Sequence, residues 1–587
     1  MNKLALFIFG FLYSAMASTQ PTQDPLAASR IGDRPWDSVA TRSQVIAPNG
    51  MVATSNPLAT QIALDILKKG GSAVDAAIAA NAALGLMEPQ MCGLGGDLFA
   101  IVWDPASKKL HGLNASGRSS LSVSFQRMQE LRRQRRTANQ ANNALMVTVP
   151  GAVDGWYELH KKFGRISLTE LLQPTIDYAR NGFPIVLEVA RNTQQIADYL
   201  EYPRQQLLGS ENFKQLYLIN DKSPIEGQRQ KNEDLASTLN LIAKGGRDEF
   251  YRGVIAKKIV RYLNQVGGVL TEEDFARHSS TWIEPVSINY RGYDIHELPP
   301  NGQGIAALQQ LNILEGFDLK AMGHNSADYL HVHVEAKKLA YEDRARFYAD
   351  PDFYQAPLEH LLSKDYAAER RALISMDKTL TKIEYPDAAE IEHGDTIYLS
   401  VADSNGMMVS FIQSIFNTYG SLLVPDDLGF ALQDRGRGFS MQAGHPNVYA
   451  PGKRPFHTII PAFITKDGNP VMSFGVMGGA MQPQGHAQIV SNFIDFGMNV
   501  QQAGDAARYR HDGSTEPSAN RIMTDGGTLN VESGVLPAVV EKLQQKGHRV
   551  RVRSGGYGGY QAVVWDEELQ VYKGGTEMRK DGQAAGY

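Results

Sequence analysis

The sequence predicts a mixed α+β chain, and three stretches carry that expectation. In the first, His393 to Gly420, Ile397, Leu399 and Val401 alternate with Tyr398, Ser400 and Ala402, the period of two that a strand with two different faces requires. Asp403-Ser404-Asn405-Gly406 follows, with an Asn-Gly pair that favours a tight hairpin turn, and the β-rich run Met407 to Ile415 returns. In the second, Leu58, Ile62, Ile66 and Leu67 mark one face of a helix that Gly70-Gly71 ends, and the Ala-rich run Ser72 to Leu84 reads as a second helix able to pack closely beside a sheet. In the third, Ala327 to Tyr348, the residues Leu330, Val334, Tyr341, Ala345 and Tyr348 fall on one face of a long helix.

The hairpin places two hydroxyls together. With Asn405 and Gly406 as the two turn residues, Ser404 faces Met407. Counting back puts Ile397 opposite Ser414 and Thr396 diagonally beside it, at the open end of the hairpin. In isolation Gly394-Asp395-Thr396 is an ordinary loop entering a strand; the rest of the chain gives it another meaning.

Length and charge bound the answer. A chain of 587 residues is long for one simple core and predicts several domains. Hydrophobic content of 43% with 21% charged residues is that of a globular protein, and a net charge of −5 gives no basic surface for nucleic acid or an anionic membrane. The first 17 residues read as a secretory signal: Lys3, an apolar run Leu4 to Leu12, then Ala15-Met16-Ala17 with a cut after Ala17. A retained anchor is the alternative. No other run approaches the roughly 20 apolar residues of a transmembrane helix. Cys92 stands alone, so an exported chain would hold no internal disulfide, and a buried inert thiol is its expected role.

The remaining elements follow in order. Met51 to Ala53 is a short strand, and Ser55-Asn56-Pro57 caps the helix after it. Pro89 to Asp97 is a Gly-rich corner before the strand Leu98 to Trp103; its spacing is not that of a dinucleotide loop. Residues 125–143 are basic, Gln/Asn-rich and exposed in character. Helical periodicity returns over Trp156 to Phe163 and Ser167 to Asn181, and Thr271 caps an acidic helix start. Arg291 to Leu298 is a strand, and 299–304 turns into the helix Ile305 to Leu314. His331 and His333 invite a zinc reading, but residues i and i+2 of a helix point about 200° apart and cannot share an ion. Residues 378–395 are polar and exposed in character, a sensible place for a cut. Val471 to Val476 is a strand, Gly478-Gly479 opens the helix Pro483 to Phe496, and Thr528 to Val564 mixes strand, helix and strand.

Taken together these segments resemble the γ-glutamyltransferase (glutathione hydrolase) family of N-terminal-nucleophile hydrolases. The resemblance runs from about Ala47 to Tyr587. It is carried by SNPLATQIALDILKKGGSAVDAAIAA, EPQMCGLGGD, VTVPGAVDGW, ELPPNGQGIAALQQLNILE, EDRARFYADPDF, GDTIYLSVADSNG, the PNVY and PGKRP pair, and DFGMNVQQAGDAARYRH. It implies an α+β fold, a four-layer αββα sandwich made as one precursor. That precursor cuts itself between Asp395 and Thr396 into a large subunit (18–395) and a small one (396–587).

The resemblance makes Thr396 the nucleophile. A Thr hydroxyl is a weak nucleophile until a base takes its proton, and the α-amine freed by the cut, with a pKa near 8, is that base. Ser414 matches a family Thr that hydrogen-bonds the nucleophile. Gly478 and Gly479 match the backbone amides of the oxyanion hole. No metal or cofactor is implied, and the expected partners are the two subunits of the same precursor and a small-molecule γ-glutamyl or dicarboxyl-acyl amide. Nucleic acid is not expected, nor is a membrane once the signal is removed; the expected location is periplasmic or extracellular.

The substrate side departs from the family pattern. The family's adjacent Ser pair reads here as His457-Thr458, and Arg118 falls two residues from the family Arg. The family Asp that grips the substrate ammonium falls on Gly438, a family Asn falls on Phe416, and its Gln on Arg435. The segment between Phe439 and Pro455 is short and lacks most of the family's lid. Arg118, Asp434, Arg435, His457 and Thr458 are therefore the substrate-binding candidates. Arg118, Arg435, His457 and Thr458 would receive a carboxylate, with water or Asp434 left to meet an ammonium. Three readings follow: a γ-glutamyltransferase or glutathione hydrolase passing the acyl group to water or an amino acid; a glutaryl-type acylase that needs no α-amine; and a non-catalytic scaffold on the same fold.

Overall fold

Two seven-stranded antiparallel sheets face one another, with helices on both outer sides, in the computed structural model, which describes residues 41–383, 395–518 and 523–587. The first sheet runs in the order Gln583–Gly586, Met51–Thr54, Asp395–Ala402, Met408–Phe416, Asp97–Asp104, Lys109–Ala115, Thr281–Ile283. The second runs Val45–Ala47, Val571–Thr576, Tyr560–Asp566, Asn469–Val476, Ala462–Lys466, Tyr293–Glu297, Val286–Tyr290.

The alternation along 397–402 distributes side chains between two buried layers. Ile397, Leu399 and Val401 join the core under the helices Pro57–Lys68, Ala73–Met87, Ala152–Phe163 and Leu168–Asn181. Tyr398 and Ala402 enter the core between the sheets with Phe99, Ile101, Met408, Ile412, Phe463 and Val563. A third apolar layer lies outside the second sheet, under Gly304–Leu314, Ala327–Phe347 and Gln482–Ile494. These layers make one unit of residues 41–587, not the several domains that length predicts. The reason is that each sheet buries both of its faces, so neither half has a core of its own.

Local signals act where the sequence places them. Asn56 accepts from the Leu58 amide with Pro57 in the first turn, and Ser72 and Asp75 form a reciprocal capping box. The second helix runs on to Met87, every residue but Gly85 buried, because alanine lets it lie close to both sheet and neighbour. Thr271 and Asp274 form another box at Glu272–Ala276. The long helix Ala327–Phe347 corrects its expected one-sided pattern: His331, His333, Glu335, Lys337, Lys338, Glu342, Asp343 and Arg344 are buried too, and bond within the layer. Residues 378–383 are less free than their polarity predicts. Lys338 Nζ donates to the Leu380 carbonyl, the Gly526 amide to that of Thr381, and Ile383 is buried. The signal segment and residues 384–394 lie outside the described residues. Among those described, no helix is long and apolar enough to cross a membrane.

Candidate active site

The hairpin closes one residue differently from the two-residue count. Asp403 pairs with Met407 around the three-residue loop Ser404-Asn405-Gly406, with Gly406 at φ +87° and Asp403 Oδ1 accepting from the Asn405 and Met407 amides. A three-residue loop ending in a left-handed glycine is the next favoured solution after the two-residue turn. The register therefore sets Ile397 opposite Gln413, not Ser414. Continued by one residue this register sets Thr396 opposite Ser414, and a bulge in the Met408–Phe416 strand then pairs Asp395 with Phe416, leaving Ser414 and Ile415 together across from Thr396. Cross-strand on the other side, Ser414 pairs with Asp97.

Thr396, Ser414 and Asp97 are all buried. Ser414 Oγ accepts from the Phe416 amide at 2.8 Å. That bond holds Phe416 at φ +78°, an uncommon backbone for an aromatic residue, with its ring 4.6 Å from the Arg435 guanidinium carbon.

The strand Asn469–Val476 of the facing sheet ends in Gly478-Gly479. Gly478 adopts φ +110° and Gly479 φ +59°, and a Cβ on Gly478 would lie 3.2 Å from Gly558 Cα, so the turn demands glycine. Among the described residues neither amide N–H of this pair has an acceptor, which leaves two donors at the head of a 3₁₀ turn and the helix Gln482–Ile494. Tyr341 Oη bonds the Ala480 carbonyl and fastens the turn from behind. Gln482, which the sequence reading did not single out, donates from Nε2 to Thr396 Oγ1 at 3.4 Å.

Beside these lies a buried cluster of charged and polar side chains. Arg435 is 1% exposed; Nη1 donates to Thr458 Oγ1 at 2.8 Å. Its Nε and Nη2 are buried and bond no described residue, and Asp97 Oδ2 stands 3.9 Å from Nε. Burial pushes this guanidinium down to about 10, with Asp97 and Asp434 opposing the shift. His457 Nε2–H donates to Asp97 Oδ2 at 3.1 Å, while Nδ1 faces the Ile459 amide at 3.5 Å. Both ring nitrogens are thus engaged within the protein. The expectation that His457 donates to a substrate is corrected: it holds Asp97, whose Oδ1 takes the Gly117 and Gly151 amides. Burial and the Arg435 charge push His457 down to about 4.

The other candidates divide. Arg118 is drawn away from this pocket: its guanidinium bonds Asp350 at 3.3 Å, Asp352 at 2.8 Å and the Gly452 carbonyl at 3.2 Å. Asp434 is buried and takes the Asn417 side chain at 2.8 Å and Arg437 at 2.7 Å. Gly438 has no room for an acid, since a Cβ there would lie 2.5 Å from the Phe456 carbonyl oxygen. The short 439–455 segment folds back on itself through Asn447, which bonds the Gly438 carbonyl and the Phe456 amide. Short as this segment is, Thr396, Arg435, His457 and Thr458 are all buried.

His331 and His333 part company, as their spacing requires. His333 stacks near Tyr329 at 4.2 Å, while His331 meets Glu335 and His548, the three within metal-ligand reach of one another. Hydrogen bonds already occupy those atoms. His331 Nε2–H donates to the Ser375 carbonyl at 2.7 Å, which leaves Nδ1 to accept from His548 Nε2 at 2.7 Å. Glu335 takes Lys338, Thr379 and the Leu380 amide, each at 2.8 Å. Two nitrogens on one tetrahedral zinc would sit roughly 3.3 Å apart. Lys338 supplies the positive charge Glu335 needs. The cluster fits a buttress between the long helix and the 375–380 segment better than an ion. Cys92 is buried with its thiol pushed well up by burial, in keeping with an inert role.

Facing antiparallel sheets between helical layers, with a threonine at the head of a central strand, define the N-terminal-nucleophile hydrolase architecture. Residues 59–587 match the gamma-glutamyltranspeptidase family, and the chain belongs to it. It is 36% identical to the glutathione hydrolase-like YwrD proenzyme of Bacillus subtilis, over 92% of this chain and 99% of that one. It is 31% identical to the glutathione hydrolase proenzyme of Escherichia coli, over 92% and 93%. Among solved structures it is similar to the cephalosporin acylase of Bacillus halodurans, with 39% identity, a TM-score of 0.85, and coverage of 94% of this chain and 98% of that one.

Proposed function

We propose that this protein is a self-maturing amidohydrolase with Thr396 as nucleophile and an acyl pocket that reads a terminal carboxylate, as in a glutaryl amide, without requiring an α-ammonium. The single observation that carries the acyl preference is Arg435. Its Nε–Nη2 edge, the side of a guanidinium that clamps a carboxylate in two parallel bonds, is buried beside Thr458 and hydrogen-bonds no described residue, with the Asp97 carboxylate 3.9 Å from Nε. A buried donor pair left unmatched is costly, so an anionic ligand is its natural partner.

The chemistry follows from the neighbours. Thr396 Oγ attacks the Asp395 carbonyl, water releases the new chain, and the freed α-amine becomes the base. That two relatives are called proenzymes supports such a cut. In turnover Thr396 Oγ attacks the substrate carbonyl carbon and its proton passes to the α-amine. The carbonyl electron pair is received by the Gly478 and Gly479 amides. Collapse breaks the C–N bond, with the proton going to the leaving nitrogen, and water then hydrolyses the ester. The N-terminal segment supports export.

A second reading, hydrolysis of γ-glutamyl amides, is favoured by Asp434, a buried carboxylate close enough to oppose the Arg435 shift. Its bonds to Asn417 and Arg437 make it a shared partner for an ammonium, so γ-glutamyl donors are expected to be the weaker ones. The Arg435 assignment is tested with glutaryl and pentanoyl anilides, which differ by the terminal carboxylate. Wild type should favour the glutaryl compound on the order of 10²-fold, the worth of a charge-assisted pair. In Arg435→Leu the preference should fall to a few-fold. Its persistence there would place the carboxylate elsewhere.

A further inference from the structure

Two buried glutamines tie the nucleophile, the oxyanion turn and the acyl pocket to one another. Gln303 Nε2 donates both to the Thr458 carbonyl at 2.7 Å and to the Gly479 carbonyl at 2.8 Å, while its Oε1 accepts from Arg344 at 2.6 Å. That side chain braces the pocket segment against the oxyanion turn without touching a reacting atom. Gln482, fully buried at the start of the helix Gln482–Ile494, makes the second brace. Its Oε1 accepts from the Ile460 amide at 2.9 Å, and its Nε2 lies 3.4 Å from Thr396 Oγ1. The Ile460 contact fixes the amide's orientation, because only the oxygen can accept from a backbone N–H. The NH₂ group therefore faces the threonine.

We infer that Gln482 is a positioning residue for the nucleophile, acting through a hydrogen bond donated to Thr396 Oγ1; the inference rests on Thr396 being that nucleophile. A donor on Oγ1 occupies one of the hydroxyl's lone pairs and turns its proton away from Gln482, towards the side where the freed α-amine takes it. The same donor stabilises the negative charge that grows on Oγ1 as the proton leaves, and again on the ester oxygen when the acyl-enzyme breaks down. Because Ile460 lies two residues after Thr458, the bond also sets the distance between attacking oxygen and acyl pocket. Self-cleavage uses the same oxygen, so it should depend on Gln482 as turnover does.

The test compares Gln482→Glu, Gln482→Met and Thr396→Ala with wild type by denaturing electrophoresis and by kinetics on a glutaryl anilide. Gln482→Glu keeps an acceptor for Ile460 but turns an acceptor towards Oγ1, drawing the hydroxyl proton the wrong way. Its kcat should fall on the order of 10²-fold with KM within about twofold, the signature of an interaction made mainly in the transition state. The nearby carboxylate should also move the acid limb of the kcat profile upward, since it favours the ammonium form of the Thr396 amine; a merely structural brace would not do this. Gln482→Met, similar in volume, should cleave itself slowly and keep the wild-type acid limb. If Gln482→Glu matures and turns over within twofold of wild type, or if it loses only KM with an unmoved pH profile, the inference is overturned. Should Gln482→Glu fail to fold, normal maturation and kcat in Gln482→Met would overturn it, and slowed maturation with a lowered kcat would support it. An active Thr396→Ala would instead overturn the nucleophile assignment, whatever the Gln482 variants do.

Discussion

The proposed catalytic end and the proposed acyl pocket are built in different ways. Thr396 and the Gly478-Gly479 turn are placed by backbone: a bulge in a central strand and two glycines at positive φ, the first of them with Gly558 packed close against it. The proposed acyl pocket is placed by side chains borrowed from separate segments: Asp97, Phe416, Arg435 and His457, each held by another. The catalytic end can therefore stay fixed while the pocket changes its residues and keeps its shape. Relatives called glutathione hydrolases and a structural neighbour called a cephalosporin acylase are what such a division allows.

Three variants sharpen that contrast, in order of expected effect. Thr396→Ala should remain one full-length chain with no measurable amidase activity, seen on a denaturing gel and by assay. A new N-terminus other than Thr396 in wild type would break the catalytic half of the comparison. Ser414→Ala should slow maturation and turnover on the order of 10²-fold, the loss of one positioning group. Part of that loss would come through the pocket, because the Ser414 hydroxyl also takes the Phe416 amide. Normal processing and rate would remove Ser414 from the account. His457→Gln should act on stability more than on chemistry. The folded His457 is held down to about 4 from its usual 6.5, so the unfolded chain binds more protons between those values. Its contribution to stability is therefore full above about 6.5 and is lost as pH falls towards 4. Urea melts at pH 7 and pH 5 should show a smaller acid loss in His457→Gln than in wild type. Equal losses would mean that His457 is not held neutral by its burial.

What the sequence made legible follows the same line. Asn56 and Thr271 act as caps where they were read, and Gly478-Gly479 opens its helix, because these signals are local. The Thr396–Ser414 neighbourhood survived a register error of one residue because the shift only moved Ser414 from diagonal to opposite, with the bulge adding Ile415 beside it. A bulge leaves no mark in a period-two pattern. Long-range side-chain partners were the least legible. Nothing near Arg118 in sequence announces that Asp350 and Asp352 occupy it, and nothing near His457 announces Asp97. Gln482 could have been noticed as a polar residue three positions after the glycine pair, where a helix start points inward. Its partner Thr396 lies 86 residues away. The buried polar face of Ala327–Phe347 was hidden for the same reason, since a helix covered on all sides breaks the amphipathic rule.

The pocket account turns on whether an α-ammonium on the substrate helps or hinders. The most direct measurement is kcat/KM for a glutaryl anilide and the γ-glutamyl anilide of the same leaving group, side by side, on the matured wild-type enzyme. Gly438→Asp would not serve as a control, because its Cβ would strike the Phe456 carbonyl and move the pocket wall. The two compounds differ only by the ammonium. An ammonium without a carboxylate of its own in a buried pocket costs about 1–3 kcal/mol, roughly tenfold to hundredfold in specificity. The account predicts a glutaryl preference within that range, reduced to the extent that Asp434 shares its charge. A γ-glutamyl preference of tenfold or more would show that the ammonium is held by a carboxylate other than a shared Asp434, and would contradict the account.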